Sequence, residues 1–436
     1  MKFLLKKILI ALTKAHIKKY EPMIIGITGN VGKTSTKEAI AAAIGRIKKV
    51  RIAAGNLNNE FGFPLIILGN WDDEYYNQGS SVGLWIRVFL VGIRGLLIKK
   101  IDYPEVFILE YGADRPGDIK KLAGLFKPHI AIVTAIGEVP VHVEYFSGPE
   151  DLAKEKSKLV EVLSVSDFAV LNFDDLAVLE MRERTKAKIL TYGYGEGAMV
   201  RVSNLETWIE NGIPEGVNFK INYNDTLQGG GQGFVPFKLS GSLGKSQGHA
   251  AAAAAAVGSI FGMNLVDISA ALADYRGPKG RLKILKGIKN SIIIDDTYNA
   301  SPSSTHMALE TLRDLPGARR VAVLGDMLEL GKYTIDAHRE AGNMAGSFAD
   351  LLICVGSRAK FIADSAANQM PSENIHKFET SDEARLKVKE LMKEGDLVLV
   401  KGSQGMRMEK VVEEIMAEPD KKKELLVRQS KKWLSK

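Results

Sequence analysis

The residues best placed to do chemistry lie in Gly26-Ile-Thr-Gly-Asn-Val-Gly-Lys-Thr-Ser-Thr36, between an apolar run, Met23–Thr28, and a helix-forming stretch, Thr34–Ile47. A glycine-rich turn between a strand and a helix leaves backbone N–H groups free at the helix N-terminus. Those groups and the helix dipole attract phosphate oxygens. Gly29, Asn30, Val31, Gly32 and Ser35 are expected to form the cradle. Lys33 is expected to neutralise the outer phosphates, and the Thr34 hydroxyl to ligate Mg²⁺. The usual pattern has glycine at position 27; here Ile27 stands there and Gly26 lies one residue early. The loop implies a nucleoside triphosphate with Mg²⁺ and leaves the reaction open.

The elements that must position this loop follow from alternation of apolar runs and helical periodicity. Strands are expected at 106–109, 130–134 and 168–172, with helices at 117–126 and 150–163. Strands alternating with helices imply a parallel sheet covered on both faces. Residues 198–240, including Gly229–Gly233, alternate and are punctuated by turns, so β-hairpins appended to that sheet are expected. The run Ala250–Ala256 should form a helix that packs closely, because its side chains are small. Turn residues cluster at Gly277-Pro-Lys-Gly-Arg281. A second α/β unit follows, with strands at 291–295, 320–325, 351–355, 375–378 and 397–400. The expected fold class is α/β: a central P-loop parallel-sheet domain with appended β-hairpins (23–280), then a C-terminal Rossmann-like α/β domain (281–418). A basic amphipathic extension (1–22) and a basic tail (419–436) flank them.

Further motifs stand in order along the chain. They are Asn56-Leu-Asn-Asn-Glu-Phe-Gly-Phe-Pro-Leu65, Glu110-Tyr-Gly-Ala-Asp-Arg-Pro-Gly-Asp-Ile119 and Ile294-Asp-Asp-Thr-Tyr-Asn-Ala-Ser-Pro302. Val323-Leu-Gly-Asp-Met-Leu-Glu-Leu-Gly331 and Leu399-Val-Lys-Gly-Ser403 follow. The phosphate loop resembles that of the Mur ligases and folylpolyglutamate synthases. The ordered set, over roughly 23–418, is similar to the Mur ligase branch that joins D-alanyl-D-alanine to a UDP-N-acetylmuramoyl tripeptide.

The resemblance implies an ATP-dependent amide-bond ligase of peptidoglycan synthesis, in the cytoplasm, acting on a muropeptide and a D-amino-acid dipeptide. It implies that ATP phosphorylates a carboxylate and that an amine attacks the acyl phosphate. Thr34 and Glu110 match the ligands of a first Mg²⁺, and His142 with a carbamylated Lys156 those of a second metal. The second match is imperfect: Thr134-Ala-Ile-Gly-Glu-Val-Pro-Val-His142 is two residues longer than the family pattern, with Ala135 in place of Asn. Asn299 and Asp326 resemble the adenine and ribose contacts, with Arg313 a further nucleotide candidate. Lys401 resembles a catalytic lysine, and Asn58, Asn59, Arg281 and Ser403 substrate contacts. Gln404 stands where the family pattern has Arg. His338 matches a family position, although a lone helix histidine is more often structural. A folylpolyglutamate-synthase-like glutamate ligase is the alternative enzyme, against which the 298–302 and 325–331 motifs weigh. A nucleotide-binding scaffold without chemistry is the non-enzymatic alternative.

Charge and composition narrow the partners. The 436 residues carry a net charge of +7, but residues 1–22 alone hold six lysines against Glu21. Residues 421–436 hold six more and Arg428 against Glu424, so the body between is net acidic. No zinc finger, RNA-recognition signature or arginine-rich reading helix is present, and nucleic acid is not expected. The single cysteine, Cys354, allows no internal disulfide, in keeping with a reducing compartment. In the apolar start of the chain Lys6 and Lys7 interrupt a run too short to span a membrane. A basic helix is expected there, lying on a membrane surface or packed on its own domain. The run Val82–Ile98, with Arg87 and Arg94 one heptad apart, reads as a core helix with a narrow wet stripe, and less well as an interfacial helix. The phosphate loop comes so early that no uridine-binding domain is recognisable before it. The acceptor is therefore expected to be read at its peptide end, completed by a partner, or lipid-linked, with peripheral contact through the basic ends at the inner face of the membrane.

Overall fold

The computed structural model describes residues 2–53, 55, 57–98, 101–224, 233–317 and 319–434. Asn56 and the Gly229–Gln232 part of the glycine-rich segment lie outside the described residues, as do Lys99 and Lys100.

The first sheet has nine strands: β1 (Met23–Thr28), β2 (Val50–Ile52), β3 (Val106–Glu110), β4 (Ile130–Val133), β5 (Phe168–Asn172), β6 (Lys188–Gly193), β7 (Val200–Glu210), β8 (Ile213–Tyr223) and β9 (Gly233–Ser240). Their order is β2-β3-β1-β4-β5-β6-β7-β8-β9. The first seven in that order pair parallel, and β7-β8-β9 are antiparallel, as the alternation over 198–240 predicts. Strands β1, β3 and β4 are continuous apolar runs because both faces are covered.

The helices over this part of the chain are α1 (Lys2–Tyr20), α2 (Lys33–Ile44), α3 (Gly62–Leu68), α4 (Asp72–Gln78), α5 (Val82–Leu97), α6 (Asp118–Leu125) and α7 (Pro149–Glu161). One face of the sheet packs on α2 and on the alanine helix Lys245–Ile260, whose Ala250–Ala256 are fully buried. The opposite face packs on residues of α1, α3, α5, α6 and α7.

The second sheet comprises β10 (Lys283–Lys286), β11 (Ile292–Asp296), β12 (Arg320–Gly325), β13 (Leu351–Val355), β14 (Ile375–Phe378) and β15 (Leu397–Lys401), in the order β10-β11-β15-β12-β13-β14. Only β10 is antiparallel. The fold is thus α/β, with a large mainly parallel sheet and a second Rossmann-like sheet.

The chain's ends pack on the body. Leu9, Thr13 and His16 of α1 are fully buried, and His16 Nε2 donates to the Gly92 carbonyl at 2.7 Å. Gly92 and Gly95 let α1 and α5 approach; a Cβ on Gly92 would collide with Leu12. Tyr20 stacks on Tyr103 with ring centres 3.9 Å apart and donates to the Gly95 carbonyl. At the other end Leu426 and Val427 are buried, and Arg428 pairs with Glu409 at 2.7 Å.

The expectation that α5 is mainly a core helix needs correction. Leu84, Trp85 and Val88 are buried, but Val82, Ile86, Leu90, Ile93 and Leu97 point outward and are half or more exposed. Among the described residues no helix is long and apolar enough to cross a membrane.

Candidate active site

In open α/β sheets the working crevice lies outside the carboxyl ends of the strands, where strand order reverses. Here β1 is that strand, with β3 on one side and β4 on the other. Ile27 is in register with Glu110, and Thr28 with Val133, so the phosphate loop, Glu110 and Thr134 emerge side by side. In the second sheet Asp296 is in register with Lys401. The turns after both strands face the same crevice. A cleft of about 700 Å³ results, lined from the first sheet by Asn30, Lys33, Thr34, Asn58, Glu110 and His142. The second contributes Tyr298, Asn299, Ser403 and Arg407, and Arg281 stands between the two. A volume of this size accommodates a nucleotide.

The loop's backbone explains its glycines. Gly29 has φ 136° and Gly32 φ 92°, and a Cβ on Gly29 would collide with the Thr134 hydroxyl. Asn30 and Val31 donate to the Ala135 carbonyl at 2.8 and 3.1 Å, which fixes the loop to the segment after β4. Gly32 caps α2 without a side-chain bond, leaving the helix N-terminus open to the cleft.

Two lysines converge on one oxygen: Lys33 Nζ and Lys156 Nζ donate to the Gly29 carbonyl at 2.7 and 3.1 Å. Burial pushes the Lys33 ammonium below its ordinary value, with Arg281 acting the same way against Glu110 and Asp114. Burial drives Lys156 well below its ordinary value, and the neighbouring Lys33 adds to that. An anion brought to this point would stabilise the protons on both.

Glu110 faces them. Burial alone would raise its carboxyl, but Lys37 and Lys33 hold it below the ordinary carboxylate value. Lys37 Nζ lies 2.9 Å from Glu110 Oε1 and donates to the Ala53 carbonyl at 2.8 Å. That lysine was not anticipated: four residues after Lys33 on α2, it reads in sequence as a solvated helix charge, yet it is 2 % exposed.

Arg281 lies with its guanidinium 4.1 Å from the Tyr298 ring centre, and its buried Nε has no hydrogen-bond partner. Asn299 Oδ1 accepts from the Ala300 and Gln404 amides, and Ser403 Oγ accepts from the Leu328 amide at 2.8 Å. Trp433 and Arg407 also line the cleft, and Arg407 donates to the Trp433 carbonyl at 3.0 Å. The chain returns some twenty-five residues later to place that tryptophan, which no local motif signals.

Several expected site residues stand elsewhere. Lys401 is 1 % exposed and lies beneath the cleft, paired with Asp296 at 2.5 Å and donating to the Asn299 carbonyl at 3.1 Å. It supports the Asn299 turn and does not line the cleft. Asp326 is buried, and its Oδ1 accepts from the Arg358 and Ala359 amides at 3.0 and 2.7 Å; it ties β12 to the loop after β13 and does not line the cleft. Arg313 lies on an outer helix face, paired with Asp314 at 2.9 Å. Asn59 caps α3 through the Phe61 and Gly62 amides, both at 3.0 Å. Ser35 is buried in the first turn of α2, and its carbonyl accepts from the Tyr275 hydroxyl. His338 is buried and accepts from the Met327 amide, a structural placement.

His142 reaches the cleft in an unexpected way. Its Nδ1 stands 2.7 Å from Glu329 of the second unit and its Nε2 3.7 Å from Asp114. His142 and Glu329 both have left-handed backbones, φ 70° and 64°, a conformation costly for residues with a Cβ. The extended loop after β4 therefore bridges the two sheets. Among the described residues no group of three or more His, Cys, Asp or Glu is arranged to hold a metal.

Comparison with known proteins agrees with this geometry. The family model for the Mur ligase middle domain matches residues 92–226, and that for the Mur ligase glutamate ligase domain matches residues 280–404. The chain is 28 % identical over 410 residues to the UDP-N-acetylmuramoyl-tripeptide–D-alanyl-D-alanine ligase of Bacillus subtilis, covering 94 % of this chain and 79 % of that one. The structure of MurF from Acinetobacter baumannii matches with a TM-score of 0.71 and 26 % identity, over 94 % of this chain and 79 % of the other. MurF from Thermotoga maritima in complex with ADP matches with a TM-score of 0.73 and 25 % identity, over 96 % and 84 %. Two domain models in order, a crevice built from both domains and a shared fold over nearly the whole length lead to one conclusion: the chain belongs to the Mur ligase family and is a ligase.

Proposed function

We propose that this ligase activates a muropeptide carboxylate with ATP and joins it to an amine, with D-alanyl-D-alanine as the amine donor. The observation that carries the reading is Lys33 on the Gly29 carbonyl at an open helix N-terminus, with Arg281 across the cleft. Two anions, a γ-phosphate and a carboxylate, repel each other, and a dry cluster of cations is what lets them meet. The carboxylate oxygen attacks the γ-phosphorus and ADP leaves. The amine then attacks the acyl carbon, phosphate departs with the former carboxylate oxygen, and the amine loses a proton. Closing the two sheets over the cleft keeps water from the acyl phosphate.

Mg²⁺ fits the donors present. Thr34 and Glu110 offer one hydroxyl and one carboxylate at the cleft, the carboxylate held charged by Lys37 and Lys33. So few protein ligands suit an ion that keeps its waters and binds phosphate oxygens. Bound there, it would supply charge neutralisation at the transferring phosphoryl group. Lys156 fits the family's carbamylated lysine, because only a neutral amine adds CO₂ and burial favours that form. His142 is assigned to bridging the domains through Glu329. Asn58, Asn299, Arg281 and Ser403 are assigned to substrate contact, a reading supported by their lining the cleft. The cytoplasm is the compartment assigned to this chemistry.

Incubation with Mg²⁺-ATP, UDP-muramoyl tripeptide and D-alanyl-D-alanine should give one amide product, detected by mass, and one phosphate per amide. Turnover with folate and glutamate instead would move the protein to the other ligase class. Lys33→Ala should remove turnover and leave the unfolding transition in place.

A further inference from the structure

We infer that α5 and α1 together form a docking surface for an anionic lipid bilayer. Val82, Ile86, Leu90, Ile93 and Leu97 recur at helical spacing and form one stripe along α5, between 50 % and 79 % exposed. The helix is not exposing its core face, since Leu84, Trp85 and Val88 on the opposite side are buried. Past the helix end, Ile98 and Ile101 are also 59 % and 92 % exposed. Contiguous apolar surface of this kind marks an interaction site.

Charge identifies the occupant. Helices α1 and α5 contain six lysines and two arginines and no acidic residue. They lie side by side and parallel, because His16 meets Gly92 while Lys19 and Tyr20 meet Gly95. Lys14 and Lys18 stand exposed along α1, and Arg87 and Arg94 border the α5 stripe on the wheel. Some of this charge is met locally: Lys6 pairs with Glu60, and Arg87 with Glu74 at 2.5 Å. The remaining cations suit lipid phosphates at the depth where an apolar helix face enters the acyl boundary.

A second copy is a poor occupant, because a two-fold contact through this face would bring the same cations together. Spanning is excluded as well: the 16 residues of α5 measure about 24 Å, short of the bilayer core, and one side is covered by α1. The basic ends were the expected membrane contact, and an interfacial helix was the less favoured reading of the 82–98 run. The C-terminal end instead folds back to the cleft through Arg428 and Trp433. The surface is separate from the cleft and does not depend on the reaction assigned there.

The test is flotation of the full chain with vesicles of mixed phosphatidylcholine and phosphatidylglycerol, and with vesicles of phosphatidylcholine alone. Wild type should float with the mixed vesicles. Leu90→Glu/Ile93→Glu, and the milder Leu90→Gln/Ile93→Gln, should reduce the bound fraction by about tenfold or more. Lys14→Glu/Lys18→Glu should also lose binding, and all three should keep the wild-type unfolding midpoint because the side chains are exposed. Wild type remaining in solution with both vesicles would overturn the inference. So would ridge variants that float like wild type, or a wild-type dimer in sedimentation that the ridge variants turn into monomer.

Discussion

Replacing Lys37 by methionine isolates what holds Glu110 charged inside the protein. The pair is 2.9 Å apart, with the lysine side chain 2 % and the carboxylate 10 % exposed. Removing one partner of a buried pair costs about 3–5 kcal/mol, because the remaining charge keeps its desolvation penalty. Lys33 still faces Glu110, so the lower end, about 3 kcal/mol, is expected. Trp71, Trp85 and Trp208 belong to the first-sheet lobe, so their fluorescence in urea reports that lobe's midpoint. In wild type the lowered Glu110 carboxyl contributes stability above its ordinary value of 4.5, lost as pH falls through the folded value. Without Lys37, burial dominates and the folded value rises. Stability is then lost as pH rises through it, so the deficit is largest at neutral pH and closes in acid. Lys37→Met/Glu110→Gln should recover part of the loss, since no lone charge remains, yet show no turnover. Equal midpoints for wild type and Lys37→Met at neutral pH would refute the reasoning. Full activity in Glu110→Gln would leave Glu110 as a structural ion-pair partner only.

Asp295 is fully buried, its Oδ2 has no hydrogen-bond partner, and burial pushes its carboxyl up to about 6. Its stabilising form is the protonated one, present below 3.8 and lost as pH rises to about 6. Asp295→Asn should gain about 1–3 kcal/mol over wild type at pH values above 6 and nothing near pH 4, and an offset independent of pH would contradict this. Gly29→Ala must place a Cβ against Thr134 at φ 136°, so a stability loss of about 2 kcal/mol or more and no measurable nucleotide binding by calorimetry are expected. His142→Ala and Glu329→Gln remove the same bridge between the two units. Each should lower kcat/KM for ATP by about tenfold and loosen the molecule in small-angle scattering, and an unchanged profile in both would remove the bridging role.

The fold was legible where local chemistry sets local structure. Strands 320–325 and 351–355 are apolar runs between turns, and they fold over those residues. The phosphate loop was legible because its glycines are demanded by backbone conformation at Gly29 and Gly32. What the sequence hid depends on which way a side chain points after folding. Lys37 and Lys33 look alike on a helix, yet one is a buried counter-ion and the other lines the cleft. Lys401 and Asp326 end strands as site residues do, but a carboxylate beside one and two amides beside the other draw them inward. The α5 run could not be split into buried and exposed halves by composition, because both halves are apolar. Trp433 reaches the cleft only through the return of the tail, a long-range contact with no periodic signature.

The central claim is that a carboxylate is activated by direct phosphorylation in the cleft between the two sheets. Its most direct test is turnover with substrate carrying ¹⁸O in the reacting carboxylate. The account predicts ADP as product, one labelled oxygen in each released phosphate, and one label retained in the amide. Unlabelled phosphate, or AMP with pyrophosphate, would contradict it.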